Sequence, residues 1–251
     1  MDFIAHRGFA KNHLENTLGA FGAAVEMRRR FPVVSGIELD IQLSGDGELV
    51  VVHDPDLTRL AGIPGRISEL AYSAFRHALQ EHRAGCTEVI PRLREVFELV
   101  NHALTLHIEL KDTSSRSEEF TGKLASELAA YSPQNDVCII SFSIPLLENA
   151  EKCCGHKGLS YGWDFSSRGA LEHADRSWLA GLEYLNPSRR LFAREDFTLP
   201  LARGQKLNVW TVNRSSDLAI LRRSPLYRRI ASVITDDLDW AVALPGRKKK
   251  G

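Results

Sequence analysis

The stretch Gly36-Ile37-Glu38-Leu39-Asp40-Ile41-Gln42-Leu43-Ser44-Gly45-Asp46-Gly47-Glu48-Leu49-Val50-Val51-Val52-His53-Asp54 decides the fold. Its first half is a strand with apolar residues at 37, 39 and 41 and acids at 38 and 40, so Glu38 and Asp40 share one face. Only Ser44 to Glu48 separate it from the apolar run that ends at His53. A parallel crossover takes about a dozen residues or more, so this pair must be an antiparallel hairpin, with Asp46-Gly47 as turn chemistry. Symmetry about residues 45–46 places His53 opposite Glu38. With the hairpin arm set aside, eight strand-like runs remain, near 3–6, 36–42, 104–110, 137–142, 159–163, 183–186, 207–212 and 231–235. Helical patterns fall near 15–30, 92–102, 117–131, 144–154, 193–203, 215–223 and 238–243. Eight strands alternating with helices read as an α/β TIM barrel carrying a β-hairpin arm.

The segment 55–90, with Pro55, Gly62, Pro64, Gly65 and Gly85, fits neither period and reads as an insertion after the second strand. Loops of this kind at a barrel mouth shape access to the site. No internal repeat or low-complexity linker divides the chain, so residues 1–251 are expected to form one domain.

A length of 251 residues suits a single barrel. Lys+Arg and Asp+Glu both number 32, and that balance argues against bulk nucleic-acid binding and against docking on an anionic membrane. No apolar stretch approaches the roughly 18 residues of a membrane span, and the N-terminus lacks a signal-peptide pattern. Cys86, Cys138, Cys153 and Cys154 have no metal-ligand spacing, and the adjacent last pair suits no mutual disulfide. A reduced, cytoplasmic protein is the simplest expectation, and a homo-oligomer is left open. The Arg247-Lys248-Lys249-Lys250 tail reads as a solvated terminus, not an anion-binding patch.

Chemistry concentrates at strand ends. Phe3-Ile4-Ala5 leads into His6-Arg7-Gly8, and Leu104 to Ile108 delivers Glu109 and Lys111. Glu38, Asp40 and Glu109 aimed into a barrel need a partner, because burying unpaired charge is expensive. One divalent cation, Mg²⁺ or Ca²⁺, fits oxygen ligands; pairing with arginines is the competing reading. His6 and His53 suit general acid and general base work near neutral pH, against the ordinary fate of a structural histidine. Arg7 and Lys111 offer charge to an anion, although Lys111 two residues beyond Glu109 could simply be its salt bridge. Trp210 is either barrel core or an apolar wall for an alcohol group. Glu15-Asn16-Thr17 reads as a helix cap.

These pieces resemble the glycerophosphodiester phosphodiesterase family, within the phosphatidylinositol-phospholipase-C-like barrel superfamily. The resemblance rests on His6-Arg7-Gly8, Glu15-Asn16-Thr17, Gly36 to Asp40, Gly45 to Glu48, Val51 to Asp54, Leu57-Thr58-Arg59, Pro91-Arg92-Leu93, Ile108 to Lys111, Ser141-Phe142, Val209 to Asn213 and Thr235-Asp236, in family order. It implies a TIM barrel that hydrolyses glycerophosphodiesters to an alcohol and glycerol 3-phosphate. Carried across, it makes Glu38, Asp40 and Glu109 metal ligands, His6 and His53 the acid–base pair, and Arg7 and Lys111 phosphate contacts. Leu14 stands where the family usually has proline, and Leu60-Ala61-Gly62 replaces a threonine-rich stretch. Two other readings remain: a lipid phosphodiesterase of the same superfamily acting on lysophospholipids, and a non-catalytic barrel that only binds phosphodiesters.

Overall fold

The structure, a computed structural model, describes residues 1–111, 116–194 and 197–244. The basic tail singled out above lies outside the described residues. The first turn of chain after β1 (Asp2–His6) leads to α1 (Leu18–Arg30), whose Thr17 cap accepts a hydrogen bond from the Ala20 amide. Ala20, Phe21, Ala24, Val25 and Met27 are its buried stripe, spaced for one helix face, and three arginines end it where the helix dipole favours cations.

β2 (Val34–Leu43) is the longest strand and runs past the barrel rim into the arm. Its outer end pairs antiparallel with β3 (Leu49–Val51), joining Ile41 to Val51, Gln42 to Val50 and Leu43 to Leu49. The hairpin is therefore centred on Asp46, half a residue from the expected axis, and the ladder stops before His53 instead of setting it against Glu38. The turn explains the shift. Ser44 Oγ donates to Asp46 Oδ1 at 2.6 Å and accepts from the Glu48 amide, while Gly47 takes a φ of 84°.

The insertion comprises β4 (Asp56–Leu57), α2 (Thr58–Ala61), β5 (Ile63–Arg66), two single-turn 3₁₀ segments and α3 (Ala78–His82). It has a small core of its own in which Leu57, Ile67, Tyr72, Phe75 and Leu79 pack on Val50 and Val52 of the arm. Arg76 clamps Glu95 with two bonds of 2.8 and 2.9 Å, tying the insertion to α4 (Leu93–Val100).

The barrel continues through β6 (Thr105–Leu110), α5 (Ser117–Tyr131), β7 (Val137–Ser141), α6 (Ile144–Cys154) and β8 (Leu159–Phe165). Then come α7 (Arg168–His173), α8 (Arg176–Gly181), β9 (Tyr184–Pro187), β10 (Lys206–Val209), α9 (Ser215–Arg223), β11 (Ile230–Thr235) and α10 (Leu238–Ala243). Parallel pairing runs β1, β2, β6, β7, β8, β9, β10, β11 and back to β1, which closes an eight-stranded TIM barrel as expected.

Two further expectations fail. The helix expected over 193–203 is absent: Arg189–Ala193 form a 3₁₀ turn, and the described residues from 197 onward run irregularly to β10. Pro200 denies the segment a backbone donor and pushes Leu199 out of helical geometry, while Phe197 and Leu199 are buried by tertiary packing. Instead α7 and α8 bridge β8 and β9, each too short for a clear helical period. The strand expected to reach 212 ends at Val209, leaving Trp210 just beyond it, bridged to Ser188.

Candidate active site

The charged residues assigned to the site from the sequence lie at the C-terminal face of the barrel, where parallel barrels carry their chemistry. His6, Arg7, Glu38, His53, Glu109, Lys111 and Trp210 line a single pocket, together with Asp164. Asp40 lies behind them with no exposed surface. Parallel register sets Asp40 beside Glu109 on the neighbouring strand, and His6 beside Glu38.

Arg7 leaves β1 with a φ of 53°, and Gly8 follows at 80°. This left-handed turn aims the Arg7 amide at Glu38 Oε2, at 3.0 Å, and brings Arg7 Nε to 3.2 Å from Asp40 Oδ2. Gly8 cannot be replaced cheaply: a Cβ there would sit 2.7 Å from the Cβ of Ala20 and 2.8 Å from its carbonyl carbon. Asn16, which the sequence offered only as part of a helix cap, donates to Asp40 Oδ2 at 2.8 Å. Lys111 Nζ lies 2.6 Å from Glu109 Oε1 and 3.2 Å from Asp40 Oδ1. The salt-bridge reading of Lys111 therefore holds in this structure, with Asp40 as a second partner.

Each histidine leans on a carboxylate. His6 Nδ1 is 2.5 Å from Asp236 Oδ1, whose other oxygen accepts from Asn213. His53 Nδ1 is 2.7 Å from Asp54 Oδ1, and Arg59 holds Asp54 in turn. Both rings thus present Nε2 to the pocket, and His6 Nε2 is 3.8 Å from Glu38. Burial opposes charging His6, but Asp236 and Glu38 outweigh it and raise its pKa. Burial dominates at His53 and lowers its pKa despite the charge of Asp40.

Glu38, Asp40 and Glu109 each present an oxygen such that all three lie within 4.8 Å of one another. Burial, then the charge of Asp40, pushes Glu38 up to about 7. Burial, Asp40 and Asp164 together raise Glu109 well above the usual carboxylate range. Asp40 goes the other way: burial opposes ionisation, but Lys111 and Arg7 hold it charged. Glu38 Oε1 and Asp40 Oδ1 are buried without a hydrogen bond. Hard oxygen donors at this spacing fit a hard divalent cation.

The sequence reading passed over Asp164, and it also missed Asp54, Asp236 and Asn213 as partners of the ring and carboxylate groups. Asp164 had a legible signal, an acid inside the apolar run Tyr161-Gly162-Trp163-Asp164-Phe165, but that strand was ended at 163. His107 is buried and lies outside the pocket, and burial pushes its pKa down to about 4.

Residues 6–240 match the model of the glycerophosphoryl diester phosphodiesterase family. The chain belongs to that family. It is an enzyme, a phosphoric diester hydrolase acting on glycerophosphodiesters. A glycerophosphodiester phosphodiesterase of Caldanaerobacter subterraneus subsp. tengcongensis is 30% identical over 249 residues, covering 96% of each chain. The crystal structure of a glycerophosphodiester phosphodiesterase from Thermotoga maritima superposes with a TM-score of 0.71 at 27% identity, again over 96% of each chain. An Oleispira antarctica phosphodiesterase, whose structure is in complex with the product sn-glycerol-3-phosphate, shares the fold with a TM-score of 0.75 at 24% identity, over 94% of this chain and 93% of its own. Among the described residues no helix is long and apolar enough to cross a membrane.

Proposed function

We propose that this chain hydrolyses small glycerophosphodiesters to an alcohol and sn-glycerol 3-phosphate, with one divalent cation, Mg²⁺ or Ca²⁺, held by Glu38, Asp40 and Glu109. The observation that carries the reading is the convergence of three buried carboxylates, two of their oxygens without a hydrogen bond, beside two histidines that carboxylates orient. A bound cation supplies charge to a phosphoryl oxygen and acidifies a neighbouring hydroxyl.

His6 and His53 handle protons. One takes the proton of the glycerol hydroxyl next to the ester. That oxygen bonds to phosphorus as the bond to the departing alcohol breaks, and the other histidine protonates the alcohol. Water then opens the cyclic phosphate with the two roles exchanged. Arg7 and Lys111 face the phosphoryl oxygens as fixed charge. Lys111 is paired with Glu109 and Asp40, so a phosphoryl oxygen meets an ammonium that these carboxylates hold in place. Trp210, its Nε1 donating to the Asn186 carbonyl at 2.7 Å, holds its ring against the pocket as a wall for the alcohol. The barrel and its insertion act as one catalytic unit, since Arg59 of the insertion reaches both Asp54 and Glu15 beside Arg7. All four cysteines are free, which supports a reducing, cytoplasmic setting.

Phosphorus NMR of the products from glycerophosphocholine tests this reading. Glycerol 3-phosphate should accumulate with free choline. Accumulation of phosphocholine and glycerol, or no turnover with either cation present, would contradict it.

A further inference from the structure

Asp164 is a charged side chain at the pocket for which the chemistry above finds no use. It sits near the C-terminal end of β8, two strands on from β6 in the barrel, with 3% of its surface exposed. Neither of its carboxylate oxygens has a hydrogen-bond partner. Its register neighbour on β9, Asn186, is fully buried, and both amide atoms of that side chain also lack one. Burial pushes the Asp164 carboxyl up to about 7, while the neighbouring Asn186, not in hydrogen-bonding geometry, favours the charged form. Leaving a buried carboxylate unsatisfied is costly, and such groups persist where something else completes the bond. Both charged partners of the cluster, Arg7 and Lys111, are already engaged with Asp40, Glu15 and Glu109.

The pocket tells what Asp164 can meet. The cationic groups and the carboxylate triad gather on β1, β2 and β6, so the phosphoryl group belongs on that side. Asp164 lines the stretch of wall that follows Glu109 around the barrel, with Ile140 of β7 between them. Of a glycerophosphodiester, the glycerol part carries two hydroxyls, and one is consumed as the attacking oxygen. The remaining terminal hydroxyl is a donor, and an ionised carboxylate is an acceptor only.

We propose that Asp164 is the specificity residue for the glycerol moiety, accepting a hydrogen bond from its terminal hydroxyl and so selecting glycerol over alcohols that lack it. This rests on the hydrolytic reading above and names the group that recognises the leaving product. A site built to bond a hydroxyl rejects an analogue lacking it strongly, because the protein group is then left buried and unpaired.

The test compares glycerophosphocholine with 2-hydroxypropyl phosphocholine, which keeps the attacking hydroxyl and lacks only the terminal one. Wild-type protein, Asp164→Leu and Asp164→Asn are assayed with saturating Mg²⁺ or Ca²⁺. Wild type should prefer the glycerol diester by about 10² or more in kcat/KM. Asp164→Leu should lose most of that preference through a fall on glycerophosphocholine alone, with the hydroxypropyl diester changed by less than about threefold. Asp164→Asn, which keeps an acceptor oxygen and the side-chain shape, should fall between them and serves should the leucine variant fail to fold. Circular dichroism melting and calorimetric metal titration of each variant separate a folding or metal defect from a recognition defect. A preference that survives both substitutions overturns the proposal, as does an equal fall on both diesters. Wild-type protein inert toward both diesters overturns the hydrolytic reading itself, and this inference with it.

Discussion

Glu38→Gln should make the metal-free protein more stable while abolishing its response to metal. Burial and the adjacent Asp40 raise Glu38 from 4.5 to about 7. The native state therefore keeps a proton that the unfolded chain releases near 4.5. Stability falls as pH climbs from 4.5 to 7, and above 7 the full penalty is present. A shift of this size corresponds to about 3 kcal/mol. Glutamine removes the charge and keeps an acceptor for the Arg7 amide, which lies 3.0 Å from Glu38 Oε2. Its new amide group would point where Glu38 Oε1 now has no hydrogen bond, at a cost of about 1–2 kcal/mol. The net gain at pH 8 is about 1–2 kcal/mol, or a Tm rise of about 2–8 °C for a chain of this length. Calorimetric melting in chelator at pH 8 and pH 4.5 reads it directly. The variant should melt higher than wild type at pH 8, and its advantage should vanish at pH 4.5. Metal at about a hundred times its Kd should stabilise wild type by about 2.7 kcal/mol and the variant hardly at all. A variant that melts no higher than wild type in chelator at pH 8 would refute the reasoning.

Three other outcomes follow from the same geometry. His6→Ala and His53→Ala should each lower kcat by about 10² or more while melting close to wild type, because both rings serve the pocket and not the core; steady-state kinetics beside thermal melts check this. Glu109→Gln should weaken metal binding in calorimetry and be partly rescued by added metal. Lys111→Ala should keep metal affinity and lose kcat/KM; equal loss of metal in the two would make the lysine an orienting group for Asp40 and Glu109. Gly8→Ala should cost about 2 kcal/mol or more, since it combines a left-handed φ with a Cβ forced against Ala20, and a melting shift below about 2 °C would show that the turn relaxes at little cost.

The barrel was legible because apolar runs recur and because the short link 44–48 admits only a hairpin. The triad was legible for the same reason, since i and i+2 on a strand share a face whatever the surroundings. The misses have separate physical origins. The hairpin axis depended on how Ser44 and Asp46 bond each other, which periodicity does not encode. The helix expected over 193–203 read tertiary burial of Phe197 and Leu199 as helical period, against the local veto of Pro200. Asp236 and Asn213 became visible as partners only once the strand ends were brought together, because Asp236 reaches His6 across 230 positions of sequence, whereas Asp54 pairs with its own neighbour His53. Asp164 lay one residue past the assigned end of its strand, where an acid in an apolar run deserved a role and received none.

The proposed chemistry depends on a cation held by Glu38, Asp40 and Glu109. Its most direct test is the initial rate of glycerol 3-phosphate release from glycerophosphocholine by one enzyme sample, first treated with excess chelator and then resupplied with Mg²⁺ or Ca²⁺. The account predicts loss of turnover in chelator and recovery with at least one of the two ions. Undiminished turnover in excess chelator would contradict it.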